Sequence, residues 1–202
     1  MSTTSYVTEL VVFDASEAYQ KDNKAAQGLV DVLNKTDGKI ATWHGPGVED
    51  PTKGYLWVRW ESLDAHKALM DSPTYPDLIA SMKPCLAGEF EMVHVKFNKD
   101  PLEALNAPAT EVVTVTLKEG KSEVDITAFL EQGSKMELPG ASASAYGPVV
   151  EKPGSFIMIV GWSSVEAHQK VREERTEEAA KVLAGVLQIA DIKVAHAKLT
   201  KY

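Results

Sequence analysis

Displaced by 102 residues, the sequence falls on itself without a gap. Trp60-Glu61-Ser62-Leu63-Asp64-Ala65-His66 lands on Trp162-Ser163-Ser164-Val165-Glu166-Ala167-His168, and Gly45-Pro46 lands on Gly147-Pro148. Thr8-Glu9 matches Thr110-Glu111, and His94 and Lys96 match His196 and Lys198. From Thr8 to Lys96 about 20 of 89 positions are identical. A chain of 202 residues with this repeat is a fused pair of similar modules, expected at 1–97 and 110–202 with a linker over 98–109. Each half has a limited core of its own, so burial of one against the other is expected.

Within each half the apolar pattern alternates between strand and helix periods. Thr8–Phe13, Lys39–His44, Tyr55–Trp60 and Glu89–Phe97 read as strands. Ala18, Ala26, Leu29, Val30 and Leu33 fall on one helical face. A second helix starts after Ser62, a residue suited to capping its N-terminus, and breaks at Ser72-Pro73-Thr74-Tyr75-Pro76. The second half repeats the order, with strands at Val112–Leu117, Ala141–Tyr146, Ser155–Trp162 and Ile192–Leu199. Its helices are expected at Glu123–Met136 and from Val165 to about Leu187. The acidic and basic run from Glu173 to Glu178 reads as an exposed helix face. The order βαββαβ is the ferredoxin-like split unit. Such a sheet leaves one face uncovered, and two fused copies can cover each other.

A net charge of −8 without a basic patch weighs against nucleic acid and anionic membrane as partners. No stretch is long and apolar enough to span a bilayer, and no signal peptide is evident, so the expected location is cytoplasmic. The single cysteine, Cys85, reads as a packed thiol. No His-x-His, Cys-x-x-Cys or His-Glu-x-x-His spacing, Gly-rich phosphate loop or Gly-x-Ser-x-Gly elbow occurs, so neither metal nor cofactor is expected.

Trp-x-Ser-x-x-Ala-His at a helix start, Ser72-Pro73-x-Tyr75, and Glu91-Met92-Val93-His94-Val95-Lys96-Phe97 resemble the dimeric α+β barrel superfamily. The group most similar is that of the antibiotic-biosynthesis monooxygenases, matched once per half. The resemblance implies an α+β fold in which two ferredoxin-like modules form an intramolecular dimeric α+β barrel, a pseudo-dimer within one chain. It also leaves room for further self-association. The superfamily includes cofactor-free monooxygenases, polyketide cyclases, haem-degrading enzymes, isomerases and stress-induced proteins. The haem-degrading pattern requires tryptophan three residues before the helix-break serine and histidine six residues after it. Leu69 and Leu78 stand there, and Val171 and Ala180 in the second half, so the resemblance does not extend to haem. The cyclase pattern places its catalytic histidine where this chain has Tyr75, and a tyrosine where it has Leu69.

The resemblance implies a cofactor-independent enzyme of monooxygenase, cyclase or isomerase type, acting on a hydrophobic aromatic or polyketide-like molecule. The alternative is a non-catalytic small-molecule-binding or stress-response protein. Histidines paired between halves, His66 with His168 and His94 with His196, read as shared structural positions, although the face bearing His94 could line a ligand site. The expected site therefore falls among the differences between halves: Tyr75 (against Glu177) and His44 (against Tyr146) as catalytic residues. Trp43, Trp57, Arg59 and His94 would bind substrate, with Arg59 orienting a carboxylate or enolate. The differences at Trp57/Ile159 and Arg59/Gly161 are equally consistent with drift after duplication.

Overall fold

A computed structural model of the chain describes residues 6–202. The first module is built on a five-stranded antiparallel sheet in the order β4-β1-β3-β2-β9. These strands are β1 (Val7–Ala15), β2 (Lys39–Pro46), β3 (Lys53–Trp60), β4 (Leu86–Val95) and β9 (Thr200–Lys201). The second module has a four-stranded sheet, β6-β7-β5-β8, from β5 (Ala109–Leu117), β6 (Ala141–Pro148), β7 (Ser155–Trp162) and β8 (Ala190–Ala197).

Alternation of side chains along a strand decides what each sheet face carries. In β1 the odd positions Val7, Val11 and Phe13 join Leu56, Val58 and Trp60 of β3 in one apolar cluster. That cluster also takes Leu29 and Leu33 from α2 (Gln27–Leu33), Leu69 from α3 (Leu63–Met70), and Leu78 and Met82 from α4 (Tyr75–Met82). The helices therefore cover one face of the sheet. The other face carries Thr8, Leu10, Trp43, Trp57 and Arg59, which are also buried.

The duplication preserves contacts as well as identities. Gly38 and Gly140 have φ of 75° and 84°, left-handed values that glycine adopts at low cost. A Cβ at either would stand 2.6 or 2.9 Å from the Cβ of Ala65 or Ala167 in the following helix. Elsewhere the halves exchange sizes. Phe13 pairs with Gly54 in the first sheet, Val115 with Phe156 in the second. The ring of Phe13 occupies the space a Cβ on Gly54 would need, at 2.2 Å.

Several elements differ from the sequence expectation. The first helix is broken at Asp22, giving α1 (Glu17–Lys21), a 3₁₀ turn and α2, and Tyr19 rather than Ala18 is buried. The last long helix is also split, into α7 (Val165–Glu173) and α8 (Glu177–Ile189), without any proline. Thr176 starts the new helix, its Oγ1 accepting the Ala179 N–H at 3.2 Å, with Glu177 and Glu178 in the first turn. The final long strand begins at Ala190, two residues before the expected start.

The expected linker contains α5 (Leu102–Leu105), with Ala104 and Leu105 buried. The compact units do not follow the repeat boundaries: one holds residues up to Lys96 together with Ala197–Tyr202, the other Phe97–His196. The reason is edge pairing. Thr200 pairs with His44 of β2. Its counterpart Asn98 donates its N–H to the Tyr146 carbonyl of β6 at 2.7 Å and accepts the Tyr146 N–H on Oδ1 at 3.0 Å. In each module the segment after the last long strand of the other repeat covers the open edge of an otherwise exposed strand. Gly45 permits this in the first module, because a Cβ there would lie 1.9 Å from the Lys198 carbonyl oxygen.

Candidate functional site

Four of the residues identical in both halves converge in space. Glu9 comes from near the start of β1, Trp60 from the end of β3, His66 from the first turn of α3 and His94 from β4. Register places Glu9 directly opposite His94. Ser62 fixes the start of α3 by accepting the Ala65 N–H on its hydroxyl at 3.1 Å, which turns His66 inward. The Trp60 Nε1–H donates to Glu9 Oε2 at 2.8 Å, and the Trp60 ring stacks on His66 at 4.6 Å. His66 Nδ1 and His94 Nε2 share a hydrogen bond of 2.6 Å, and His66 Nε2 stands 3.7 Å from Glu9 Oε2.

The second module repeats this geometry closely. Trp162 donates to Glu111 Oε2 at 2.7 Å and stacks on His168 at 4.6 Å. His168 Nδ1 lies 2.8 Å from His196 Nε2, and His168 Nε2 lies 3.7 Å from Glu111 Oε1. All eight side chains are buried. Each cluster joins a buried carboxylate to two imidazoles through fixed hydrogen bonds, an arrangement able to accept, hold and return a proton. Two imidazoles and one carboxylate, with donor atoms within 4.8 Å of one another, are also a set that could hold a divalent transition metal.

What surrounds the two clusters differs. In the first module Leu78 and Met82 of α4 are buried over the sheet, and Tyr75, Phe90 and Leu69 pack with them. At the equivalent positions the second module has Ala180, Ala184, Glu177, Ile192 and Val171. The first three are exposed, and α8 buries none of its residues. Its apolar stripe, Ala179, Val182, Leu183 and Val186, instead faces a cavity of about 840 Å³ between helices and sheet. Glu111, Trp162 and His168 form part of the cavity wall, while His196 stands behind His168. The size is within the range of small-molecule sites, about 300–1,000 Å³.

The residues expected from sequence do not assemble into one site. Trp43 and Trp57 face each other across β2 and β3, buried on the sheet face away from the helices, and Arg59 shares that face with its guanidinium 4.6 Å over the Tyr6 ring. His44 lies on the helix-covered face. There its Nδ1 is 3.1 Å from the Tyr19 hydroxyl, and its ring stacks on Tyr202 at 4.4 Å. Burial lowers the His44 pKa to about 4, which keeps the imidazole neutral. Tyr75, at the start of α4, has its pKa raised, first by burial and then by the charge of Glu9, so it is placed to donate a hydrogen bond rather than to abstract a proton. His94 belongs to the closed cluster of the first module. Sequence reasoning missed Glu111, His168, His196 and Trp162 as a unit, although every member was visible as an identity at offset 102.

Among the described residues no helix is long and apolar enough to cross a membrane. No family model matches the sequence, and no curated protein matches it. Solved structures do match. A protein described as "anthrone oxidase-like" aligns over 99% of this chain and 94% of its own, with a TM-score of 0.74 and 11% identity. Two proteins described as "putative monooxygenase" also align over 98% of this chain. The one from Fusobacterium nucleatum is 14% identical over 93% of its length, with a TM-score of 0.67. The one from Lactobacillus acidophilus is 12% identical over 95%, with a TM-score of 0.63. At these identities the likeness is one of fold. The chain shares with these solved structures an α+β fold built from two antiparallel-sheet modules in tandem.

Proposed function

We propose that the protein is a cofactor-independent enzyme that removes a proton from a hydrophobic aromatic or polyketide-like substrate held in the second module. The observation that carries this reading is the asymmetry of the twin clusters. The same Glu-His-His group is closed over by core side chains in one module and forms the wall of an 840 Å³ cavity in the other.

The 3.7 Å between His168 Nε2 and Glu111 Oε1 is too long for a direct hydrogen bond. One ligand oxygen can sit within about 2.8 Å of both, as hydrogen-bond geometry allows. A substrate hydroxyl or enol placed there gives up its proton to the carboxylate–imidazole group, and His196 keeps the His168 ring oriented through Nδ1. Trp162 holds Glu111 by its N–H and covers one face of His168. The resulting phenolate or enolate is the common starting point for ring closure, isomerisation or reaction with dioxygen. In the last case, one oxygen atom enters the product as a carbonyl, and the other leaves as water with two hydrogens from the substrate carbon. An anthrone-like ring system, whose acidic CH₂ lies between two aryl groups, suits that sequence, and similarity of fold to an anthrone oxidase-like protein is consistent with it.

The test is oxygen uptake and product formation with anthrone-type and hydroxynaphthalene substrates. Glu111→Gln and His168→Gln are expected to reduce turnover at least 100-fold, in the range typical of losing a general base. Glu9→Gln in the closed cluster should leave it within about two-fold. Full turnover by Glu111→Gln, or loss of turnover on Tyr75→Phe or His44→Ala alone, would move the site back to the first module.

A further inference from the structure

The polar wall of the cavity carries an unbalanced charge. Lys99, Lys135, Arg172 and Arg175 line it, against Glu137 and Glu174 besides Glu111. Lys135 is engaged with Glu131 at 2.7 Å, and Glu174 is close to Lys170 at 3.9 Å. Among the described residues, no carboxylate pairs with Arg172 or Arg175. These two arginines lie at the end of α7 and in the break before α8, and both side chains are exposed. Their counterparts in the first module, where the equivalent space is closed, are Met70 and Pro73. In a chain of net charge −8, two unpaired arginines flanking an apolar cavity run against the general charge of the molecule.

We propose that Arg172 and Arg175 form an anion site at the mouth of the cavity, so that the substrate is a hydroxylated aromatic acid. Its ring system occupies the apolar interior, its carboxylate meets the arginines, and its hydroxyl reaches Glu111 and His168. This rests on the cavity being the substrate site. The guanidinium is suited to the role because its planar fork of donors matches the two oxygens of a carboxylate and its charge persists at any working pH. The apolar stripe of α8 supplies the remaining contact. A phosphate tethering the substrate to a carrier would present the same kind of charge, so the experiment separates the two sources.

The measurement is binding by titration calorimetry of three matched probes, 6-hydroxy-2-naphthoate, 2-naphthol and 2-naphthyl phosphate, to the intact protein and to an Arg172→Gln/Arg175→Gln variant. Both substituted side chains are exposed, and thermal melting checks that the variant remains folded. The carboxylate should bind on the order of ten-fold more tightly than the naphthol at low salt, an effect of the size expected for two partly solvated ion pairs. That advantage should fall to two-fold or less in the variant, with naphthol affinity unchanged. Equal affinity of acid and naphthol, or an advantage that survives in the variant, would overturn the anion site while leaving the cavity reading intact. Tighter binding of the phosphate than of the carboxylate would overturn the assignment to an aromatic acid. Failure of all three probes to bind would overturn the cavity reading itself.

Discussion

Gly133 occupies the last turn of α6 (Glu123–Ser134) and lines the cavity of the second module. Glycine in a helix costs about 0.8–1 kcal/mol relative to alanine, and nothing in the backbone here requires it, since its φ is not positive. A Cβ at this position would meet only the Met158 methyl, at 3.8 Å, an ordinary van der Waals contact. Gly133→Leu therefore directs an isobutyl group into open space. Helix propensity should contribute somewhat under 1 kcal/mol, because leucine is slightly poorer than alanine. Burial of half a leucine side chain should add about 1 kcal/mol. The sum is about 2 kcal/mol, and at about 2–4 °C per kcal/mol for a chain of this length the melting temperature should rise by about 4–8 °C. Binding of 6-hydroxy-2-naphthoate should weaken at least ten-fold in the same protein. The assay is differential scanning calorimetry paired with ligand titration. A lower melting temperature, or an unchanged affinity in a stabilised variant, would show that the space beside Gly133 is not the ligand chamber.

Trp162→Phe keeps a ring against His168 but removes the N–H that holds Glu111, so turnover should fall at least ten-fold, and a buried charge-assisted hydrogen bond is lost at a cost of about 1.5–3 kcal/mol. Trp60→Phe in the first module should show a similar stability loss with turnover kept, as read by denaturant unfolding and steady-state rates. Acid sensitivity should trace in part to His44. Its folded pKa of about 4 lies below the ordinary 6.5, so the unfolded chain binds the proton first, and stability is complete above pH 6.5. As pH falls from 6.5 to 4 the loss approaches about 3 kcal/mol, and His44→Gln should flatten that part of the stability profile. Chelator dialysis followed by metal analysis should leave turnover unchanged. A loss restored by a divalent ion would instead assign Glu111, His168 and His196 as ligands.

The repeat made the fold readable because fold depends on patterns that persist through substitution. The Gly-Pro pairs that end β2 and β6, the serine caps and the Gly38–Ala65 and Gly140–Ala167 contacts are present in both halves. The reciprocal pairing of Asn98 and Thr200 at the sheet edges was not readable, since it depends on where each tail goes after its own repeat. The split between α7 and α8 lacked a proline, and the cap at Thr176 was hidden in a run of charges.

The candidate site was harder to read for a different reason. Glu111, Trp162, His168 and His196 come from three strands and a helix, and their identity with Glu9, Trp60, His66 and His94 was equally consistent with a scaffold role. What separates the two clusters is not their own chemistry but the smaller side chains above one of them. Glu177, Ala180 and Ala184 stand where the first module has Tyr75, Leu78 and Met82, and α8 buries none of its residues. The difference between Tyr75 and Glu177 is legible in the sequence, but the sequence does not say which half it favours as a site.

The most direct test is a crystal structure of the protein with 6-hydroxy-2-naphthoate. The account predicts the ligand in the second module, with its hydroxyl oxygen within hydrogen-bond distance of both Glu111 and His168. Ligand density beside Tyr75 and His44, or against Trp43, Trp57 and Arg59, with the second cavity empty, would contradict it.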